Sequence, residues 1–180
     1  IDKGTVTSVD ADNDKMSIDP DTGIGTWTGV ALPSTLYQYG YNAVSFDETN
    51  NLFVSVSITA TNTVGKVVTS ADGATWTING NISTINNNGN VGYQYIASGE
   101  GVTIALDGTS NPSTYIRTTD PDGAWTSNTS PAAAKGLAYG NGVWVMGCDD
   151  PSKVYVSTDK GFNWSSPTTG GINAGSEFDH

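Results

Sequence analysis

The side chains with the most scope for chemistry in this sequence are its eighteen acidic residues. Hydrolysis of a glycosidic bond needs two carboxyl groups at a fixed separation, one of them kept protonated by burial. Most of the acids fall instead in predicted turns, where water keeps a carboxylate ionised. Examples are Asp47, Glu48, Glu100, Asp107, Asp149 and Asp150. We interpret them as solvated turn residues and assign no catalytic residue, with glycoside hydrolysis as an alternative.

Other groups that support catalysis are scarce. The one cysteine, Cys148, follows an apolar predicted strand, and the one histidine, His180, ends the sequence. A reactive thiolate needs a nearby base, so we interpret Cys148 as a partly buried, inert thiol. A single cysteine excludes a disulfide within the chain. The sequence contains no phosphate loop, dinucleotide fingerprint or zinc helix, and we expect no cofactor.

A short acidic run near the first residue has the spacing of a calcium loop. Asp10, Asp12 and Asp14 alternate as oxygen ligands do, and Asp21 stands where a twelfth-position acid would fall. Lys15, however, occupies the position at which an EF-hand loop needs glycine, and no helices are predicted beside it. We favour a polar loop between two strands, with calcium binding as the weaker alternative.

The charge balance restricts the partners. The formal net charge is −11, with six lysines and Arg117 against the eighteen acids. A surface that follows nucleic-acid phosphates or binds an anionic membrane needs clustered cations, which this sequence lacks. No apolar run approaches the length of a membrane span. We therefore expect neither a nucleic-acid partner nor membrane insertion, and a cationic or neutral polar partner stays open.

Tyrosines and amides gather around two predicted loops and form the candidate binding residues. The set is Tyr37, Tyr39, Tyr93, Tyr95, Asn87 and Asn88. Aromatic faces beside amide groups suit neutral sugars or a protein surface. The alternative, which we favour, is that the tyrosines begin strands and pack between neighbouring structural units.

All these side chains must be positioned by a repeated element that ends in tryptophan behind an Asp-Gly turn. The repeats end at Trp27, Trp76, Trp125 and Trp164, at intervals of 49, 49 and 39 residues. The last three turns contain Asp72, Asp120 and Asp159, and Gly161 is the turn glycine of the last. Each carboxylate can accept backbone N–H bonds while the tryptophan packs over the turn, so the motif is predicted to be a self-contained lock on its hairpin.

Each repeat divides into four short strands. The second strands, over 52–57, 102–106 and 143–146, are the most apolar and are predicted to be buried on both faces. The turns before them contain Gly and Asn, which tolerate the positive φ that hairpins require. Four antiparallel strands in radial repetition predict an all-β fold, a β-propeller with three full blades and a partial N-terminal blade.

The predicted domain is one propeller, or an arc of a larger one, over residues 1–174. Its blades cover about 1–30, 41–79, 93–127 and 135–166. Residues 175–180 read Gly-Ser-Glu-Phe-Asp-His, which adjacent cloning sites would encode, so we interpret them as a vector-derived tail. In this arrangement the loops from strand four to strand one and from strand two to strand three share one face, the predicted ligand face.

The repeat resembles the Asp-box, or BNR, motif Ser-x-Asp-x-Gly-x-Thr-Trp. Residues 157–164 match it with Asn163 in place of Thr, residues 70–76 are one residue shorter, and residues 118–125 shift the glycine by one place. The resemblance implies a family that includes sialidases, secreted glycosidases, sorting-receptor ectodomains, photosystem-assembly factors and bacteriophage virion proteins. It also implies a structural role at the outer rim for Asp72, Trp76, Asp120, Trp125, Asp159, Gly161 and Trp164.

A sialidase-like site resembles a set of three arginines that grip a carboxylate. Arg117 is the one arginine in this sequence, so such a clamp cannot be built. We expect a chain that is not an enzyme, with the question of activity left open.

The expected function is that of a structural bacteriophage virion protein in a tail, fibre or baseplate, contributing to host-surface attachment or assembly. The grounds are a Thr-, Asn-, Ser- and Gly-rich composition with 14% charged residues, which resembles phage appendage proteins. Its partners would be other virion proteins or a host-surface glycan or protein, in the virion or outside the cell, and an oligomer is open. The alternatives are a secreted carbohydrate-binding module and a fragment of an Asp-box glycoside hydrolase.

Overall fold

The computed structural model describes residues 6–10, 15–18, 29, 40–58, 66–79, 92–108, 113–149 and 154–167. The regular elements among them are all β-strands, and the chain divides into two compact units, Ile1–Leu32 and Pro33–His180. The first unit contains an antiparallel hairpin of β1 (Val6–Asp10) and β2 (Lys15–Ile18). These are the predicted second and third strands of the N-terminal blade, and its predicted fourth strand lies outside the described residues.

The second unit contains three antiparallel sheets, called here blades A, B and C. Blade A pairs β3 (Gly40–Asp47), β4 (Leu52–Ile58), β5 (Val67–Ser70) and β6 (Thr77–Asn79) in that order. Blade B pairs β7 (Tyr95–Gly99), β8 (Val102–Leu106), β9 (Thr114–Thr118) and β10 (Thr126–Thr129). Blade C pairs β11 (Ala134–Gly140), β12 (Val143–Cys148) and β13 (Val154–Ser157). Among the residues that the structure describes, its fourth strand is represented by one bridge, in which Val156 and Ser165 exchange backbone hydrogen bonds of 2.9 Å.

The first strands of successive blades are neighbours: β3 contacts β7, and β7 contacts β11. Where the chain passes from blade A to blade B, the Tyr93 N–H donates to the Ser57 carbonyl at 3.0 Å. First strands side by side, with later strands progressively farther out, are the radial arrangement of a β-propeller. The predicted fold class, an all-β propeller arc of four-stranded antiparallel blades, is confirmed.

Strand β8 shows why the second strands are so apolar. Ile104 and Leu106 face blade C, where they pack with Trp144. Ala105 faces the other way and packs with Val54 of blade A. All five side chains are fully buried, and burying an Ile or Leu side chain contributes about 1.5 to 3 kcal/mol. One strand thus supplies both inter-blade cores, as predicted from its largely apolar sequence.

The turns between first and second strands use left-handed backbone. Asn51 has φ 54°, Asn141 has φ 51°, and Gly142 after it has φ 78°. Blade B has Glu100 at φ 51° and Gly101 at φ 72° in the same turn. Two successive positive φ values match the twist of the flanking strands, which confirms the predicted hairpin turns. A glutamate in this conformation was not expected, since its Cβ costs about 1 to 2 kcal/mol there.

Parts of the predicted architecture lie outside the described residues. They include most of the predicted ligand face, the tail at 175–180, and Asp12 and Asp14 of the candidate calcium loop, while Asp10 ends β1. Within the described segments there is no helix long and apolar enough to cross a bilayer.

Candidate functional site

The Asp-Gly turn of blade A is held by its own carboxylate. Asp72 Oδ1 accepts the N–H of Ala74 at 2.8 Å and of Thr75 at 2.7 Å, and the Ser70 hydroxyl at 3.0 Å. The Ser70 hydroxyl oxygen in turn accepts the Gly73 N–H at 2.9 Å. The Trp76 indole N–H donates to the Gly73 carbonyl at 3.1 Å. The turn is therefore closed by bonds among residues at most three positions apart.

Blade C repeats this arrangement with one substitution. Asp159 Oδ1 accepts the Asn163 N–H at 2.9 Å and the Ser157 hydroxyl at 2.8 Å. The Asn163 side-chain amide donates to Asp159 Oδ2 at 2.6 Å, which is the bond that the threonine hydroxyl makes in blade A. Asn163 thus substitutes for the usual threonine because its amide reaches the same carboxylate oxygen.

Both carboxylates are kept strongly acidic by these bonds. The backbone N–H groups of Thr75 and Ala74, followed by the Ser70 hydroxyl, lower the pKa of Asp72 to about 2. The backbone and side-chain donors of Asn163 do the same for Asp159, whose pKa is also about 2. A general acid needs a raised pKa, so neither group is suited to donate a proton near neutral pH.

The turn of blade B departs from this pattern. Here Thr118 helps to close the turn. Its hydroxyl donates to the Asp120 carbonyl at 2.7 Å and to the Ala124 carbonyl at 2.8 Å. The Asp120 carboxylate accepts the Asp122 N–H at 3.2 Å. The Trp125 indole N–H donates to the Pro121 carbonyl at 3.2 Å. The shifted glycine therefore changes which groups close the turn.

The turn of blade B also binds the outer strands of blade A. The Asn79 side-chain amide donates to the Pro121 carbonyl at 2.7 Å and the Gly123 carbonyl at 2.8 Å. The Thr69 hydroxyl donates to the Asp122 carboxylate. Trp125 is buried in the core between blades A and B. The turn therefore fastens one blade to the blade before it.

The turn of blade C binds blade B with different side chains. The Tyr115 hydroxyl donates to the Gly161 carbonyl at 2.8 Å, and Arg117 Nε donates to the Lys160 carbonyl at 2.7 Å. The Arg117 guanidinium lies 3.8 Å from the centre of the Phe162 ring, a cation–π contact. Trp164 packs edge-on against Tyr115, with ring centres 6.2 Å apart. The one arginine of the sequence is thus engaged in holding two blades together.

These contacts correct one expectation. The sequence predicts a self-contained hairpin lock, whereas the turns of blades B and C are also inter-blade fasteners. The partner residues were missed because the bonds from Tyr115, Arg117 and Asn79 reach residues 42 to 46 positions away. No local pattern in the sequence indicates them.

A second feature is a groove at the opposite strand ends from the predicted ligand face. It has a volume of about 470 Å³ and is lined by residues 46–49, residues 98–101 and Tyr139. These are the turns that join first and second strands in blades A and B, together with the end of β11. We call it the inner-turn groove.

One wall of the inner-turn groove is fixed by Asp47, which is buried. Its Oδ1 accepts the N–H of Thr49 at 3.0 Å and of Asn50 at 3.1 Å. Its Oδ2 accepts the Asn50 side-chain amide at 3.1 Å and the Thr103 hydroxyl of blade B at 3.1 Å. Asn50 also donates to the Thr119 carbonyl at 3.0 Å. Asp47 therefore holds its own turn and ties it to blade B.

Glu100 and Tyr139 form the other side of the inner-turn groove. The Tyr139 ring lies directly over Gly99, where an added Cβ would be 2.0 Å from Cδ1 of the ring. Burial, and then the hydrogen bond and charge of Glu100, raise the pKa of Tyr139. Glu100 Oε1 also lies 3.8 Å from where a Cβ on Gly142 would stand. The side chain of Glu100 thus extends from blade B across to blade C.

The candidate binding tyrosines are divided by the structure. Tyr93 is 0% exposed in the core between blades A and B, and Tyr95 packs against the core between blades B and C. Both tyrosines therefore lie where the alternative interpretation, in which they pack between neighbouring blades, places them. The other four candidates, Tyr37, Tyr39, Asn87 and Asn88, lie outside the described residues. Cys148 is buried in the second core.

The chain was compared with known proteins. No protein-family model and no curated protein sequence matches it. Among solved structures it is similar to YCF48 bound to D1 peptide, with 17% identity, a TM-score of 0.57, and coverage of 79% of this chain and 43% of that one. It is similar to YCF48 from Cyanidioschyzon merolae, with 18% identity, a TM-score of 0.55, and coverage of 79% and 40%. It also resembles the Hadza microbial sialidase Hz136, with 14% identity, a TM-score of 0.52, and coverage of 85% and 39%.

These neighbours are β-propeller proteins with BNR-like repeats, and at such low identity the likeness shows the fold alone. The chain spans about two fifths of the length of each of them. It is a β-propeller arc in which the Asp-box-like turns of blades B and C each join their blade to the blade before it.

Proposed function

We propose that this chain is a non-enzymatic propeller module that acts by binding a partner. The observation that supports this is how its charged groups are used. Asp72 and Asp159 close their own turns, Asp47 ties blade A to blade B, and Arg117 fastens blade C. None of these four groups is left to protonate, attack or grip a substrate, since each is engaged by neighbouring protein groups.

The proposed partner is a protein. YCF48, one of the structural neighbours, is recorded with a D1 peptide bound, so a propeller of similar fold takes a peptide. In this chain, the inner-turn groove offers a concave surface of a size suited to one or two side chains. A carboxylate-bearing sugar is a poorer occupant because Glu48 and Glu100 line the groove and repel anions.

We also propose that the module belongs to a bacteriophage tail, fibre or baseplate and contributes to host-surface attachment or assembly. The support is the composition, which is rich in Thr, Asn, Ser and Gly, has 14% charged residues and includes a single cysteine. The module would then be found in the virion or outside the cell, bound to another virion protein or to a host-surface protein.

Three measurements test the proposal. Incubation of the chain with chromogenic glycosides, sialosides included, should give no turnover, and steady turnover that copurifies with the chain would contradict a non-enzymatic role. Mass spectrometry of purified phage particles should detect the chain at a fixed ratio to the tail proteins. Its absence from particles would refute the virion setting. Discrete sugar hits on a glycan array would replace the protein partner with a carbohydrate.

A further inference from the structure

We propose that the inner-turn groove binds a lysine or arginine side chain presented by an exposed basic segment of a partner protein. This inference rests on the proposed role of the chain as a binding module and names the chemistry of its partner. It depends on three properties of the groove, which are its shape, its aromatic walls and its charge.

The shape is that of a cleft formed by the turns of blades A and B and by the end of β11 in blade C. Thr49 of blade A approaches the turn of blade B, since a Cβ on Gly101 would lie 3.5 Å from Thr49 Oγ1. Glu100 of blade B approaches the turn of blade C, since a Cβ on Gly142 would lie 3.8 Å from Glu100 Oε1. The volume of about 470 Å³ exceeds that of a single side chain, so an arginine and part of its flanking backbone fit.

The walls carry aromatic rings. Phe46 is 40% exposed and packs against Phe53 with ring centres 4.9 Å apart, so the pair is fixed in position. Tyr139 is held against Trp144 at 5.0 Å. Phe46 and Tyr139 are both among the residues that line the groove. Aromatic faces attract an ammonium or guanidinium group and also pack against its aliphatic stem.

The charge of the groove is negative. Glu48 and Glu100 are exposed, while the carboxylate of Asp47 is already occupied by four donors from the protein. Among the lining residues that the structure describes, none is lysine or arginine. Exposed carboxylates beside aromatic rings are complementary to a cationic side chain and unfavourable for an anionic one.

Glu100 provides a sharp test because its position does not favour glutamate. The same turn in blade C has Asn141 with the same φ of 51°, and asparagine tolerates this conformation better than glutamate. Replacement by asparagine should therefore relieve the turn of strain while removing the carboxylate, together with its hydrogen bond to Tyr139, from the groove. If Glu100 served only the fold, replacing it by asparagine would instead destabilise the protein.

The experiment is an NMR titration of the ¹⁵N-labelled chain with two capped pentapeptides, Gly-Ser-Arg-Ser-Gly and Gly-Ser-Gln-Ser-Gly. The arginine peptide should bind with a dissociation constant on the order of 1 mM and shift the amides of Thr49, Glu100 and Gly101. The glutamine peptide should bind at least about tenfold more weakly. Because the contact is exposed, 0.5 M NaCl should weaken the arginine peptide severalfold.

Two variants and one control complete the experiment. Glu100→Gln and Glu100→Asn should each weaken the arginine peptide about fivefold or more, and Glu100→Asn should not lower the thermal midpoint. Asp149→Asn, which removes a carboxylate paired with Lys135 at 3.5 Å and not among the groove residues, should leave the affinity unchanged. Equal binding of the two peptides, or unchanged affinity in both Glu100 variants, would overturn the proposed site.

The outcomes separate this inference from the proposed function. If the arginine peptide shifts only amides away from the groove, the site is wrong while the binding module stands. If neither peptide shifts any amide, the site is wrong. The proposed function is then decided separately, by mass spectrometry of phage particles and by the glycoside turnover assay. If the chain hydrolyses glycosides, the proposed function is wrong whether or not the groove binds arginine.

Discussion

Replacing Gly161 by alanine tests whether the Asp-box turn of blade C fastens it to blade B. Gly161 has φ 78°, and Gly73 occupies the same place in the turn of blade A with φ 71°. An added Cβ at position 161 would lie 2.4 Å from Cδ1 of Ile104 in blade B. At position 73 the nearest atom would be Cε2 of Phe53, at an ordinary 3.8 Å.

The magnitudes follow from these two geometries. Alanine in left-handed backbone costs about 1 to 2 kcal/mol at either position. The displacement of the buried Ile104 side chain adds about 1 to 3 kcal/mol at position 161 alone. Gly73→Ala should therefore destabilise the fold by about 1 to 2 kcal/mol, and Gly161→Ala by about 2 to 5 kcal/mol.

The assay is urea unfolding followed by tryptophan fluorescence, with a double variant that removes the clash. Ile104→Val alone should cost about 0.5 to 1.5 kcal/mol. In the Gly161→Ala background it deletes the clashing methyl and leaves the nearest atoms at 3.7 Å, so the double variant should be more stable than the sum of its parts. Equal costs for Gly73→Ala and Gly161→Ala, together with additivity at Ile104, would refute the inter-blade role of this turn.

Three further predictions concern the same contacts. The pKa of Asp159 is about 2, below its ordinary value of 3.8, so its carboxylate stabilises the fold above about pH 4 and loses that effect as the pH falls toward 2. Asp159→Asn should therefore lower the thermal midpoint at pH 6, with the gap to wild type narrowing by pH 2; a gap independent of pH would contradict this. Gly99→Ala should destabilise by about 1 to 3 kcal/mol because its Cβ would meet the Tyr139 ring. Gly140→Ala, at the matching strand position with nothing within 4 Å, should be close to neutral in the same urea assay. Tyr115→Phe removes the bond to the Gly161 carbonyl and should cost about 1 kcal/mol in urea unfolding, whereas an unchanged midpoint would mean that this bond contributes nothing.

The local structure could be read from the sequence because its causes are local. Strand β8 was placed at residues 102–106 by its apolar run, and the structure has the same bounds. The carboxylates of Asp72 and Asp159 bind groups within four positions along the chain, which is why the repeated turn is visible as a motif. Such contacts form whichever blade lies next to the turn.

The contacts between blades were not predictable, because they depend on how the sheets stack. Arg117 is the one arginine in the sequence, and nothing near it indicates Phe162 as its partner. Glu100 was placed in a turn, but its positive φ and its approach to Tyr139 depend on the position of blade C. The inner-turn groove has the same origin, since its walls come from different blades.

Stacking also explains why the three turns differ from one another. The turn of blade B presents the Pro121 and Gly123 carbonyls to the Asn79 amide, while the turn of blade C presents the Gly161 carbonyl to the Tyr115 hydroxyl. The shifted glycine of blade B therefore matches the Asn79 side chain of blade A, whereas the Asn163 substitution in blade C acts within its own turn. A turn moved from blade C into blade B would leave the buried Asn79 amide without its two acceptors, at a cost of about 1 to 3 kcal/mol. The irregular turn of blade B is thus fitted to blade A, and a regular repeat at this position would lose that fit.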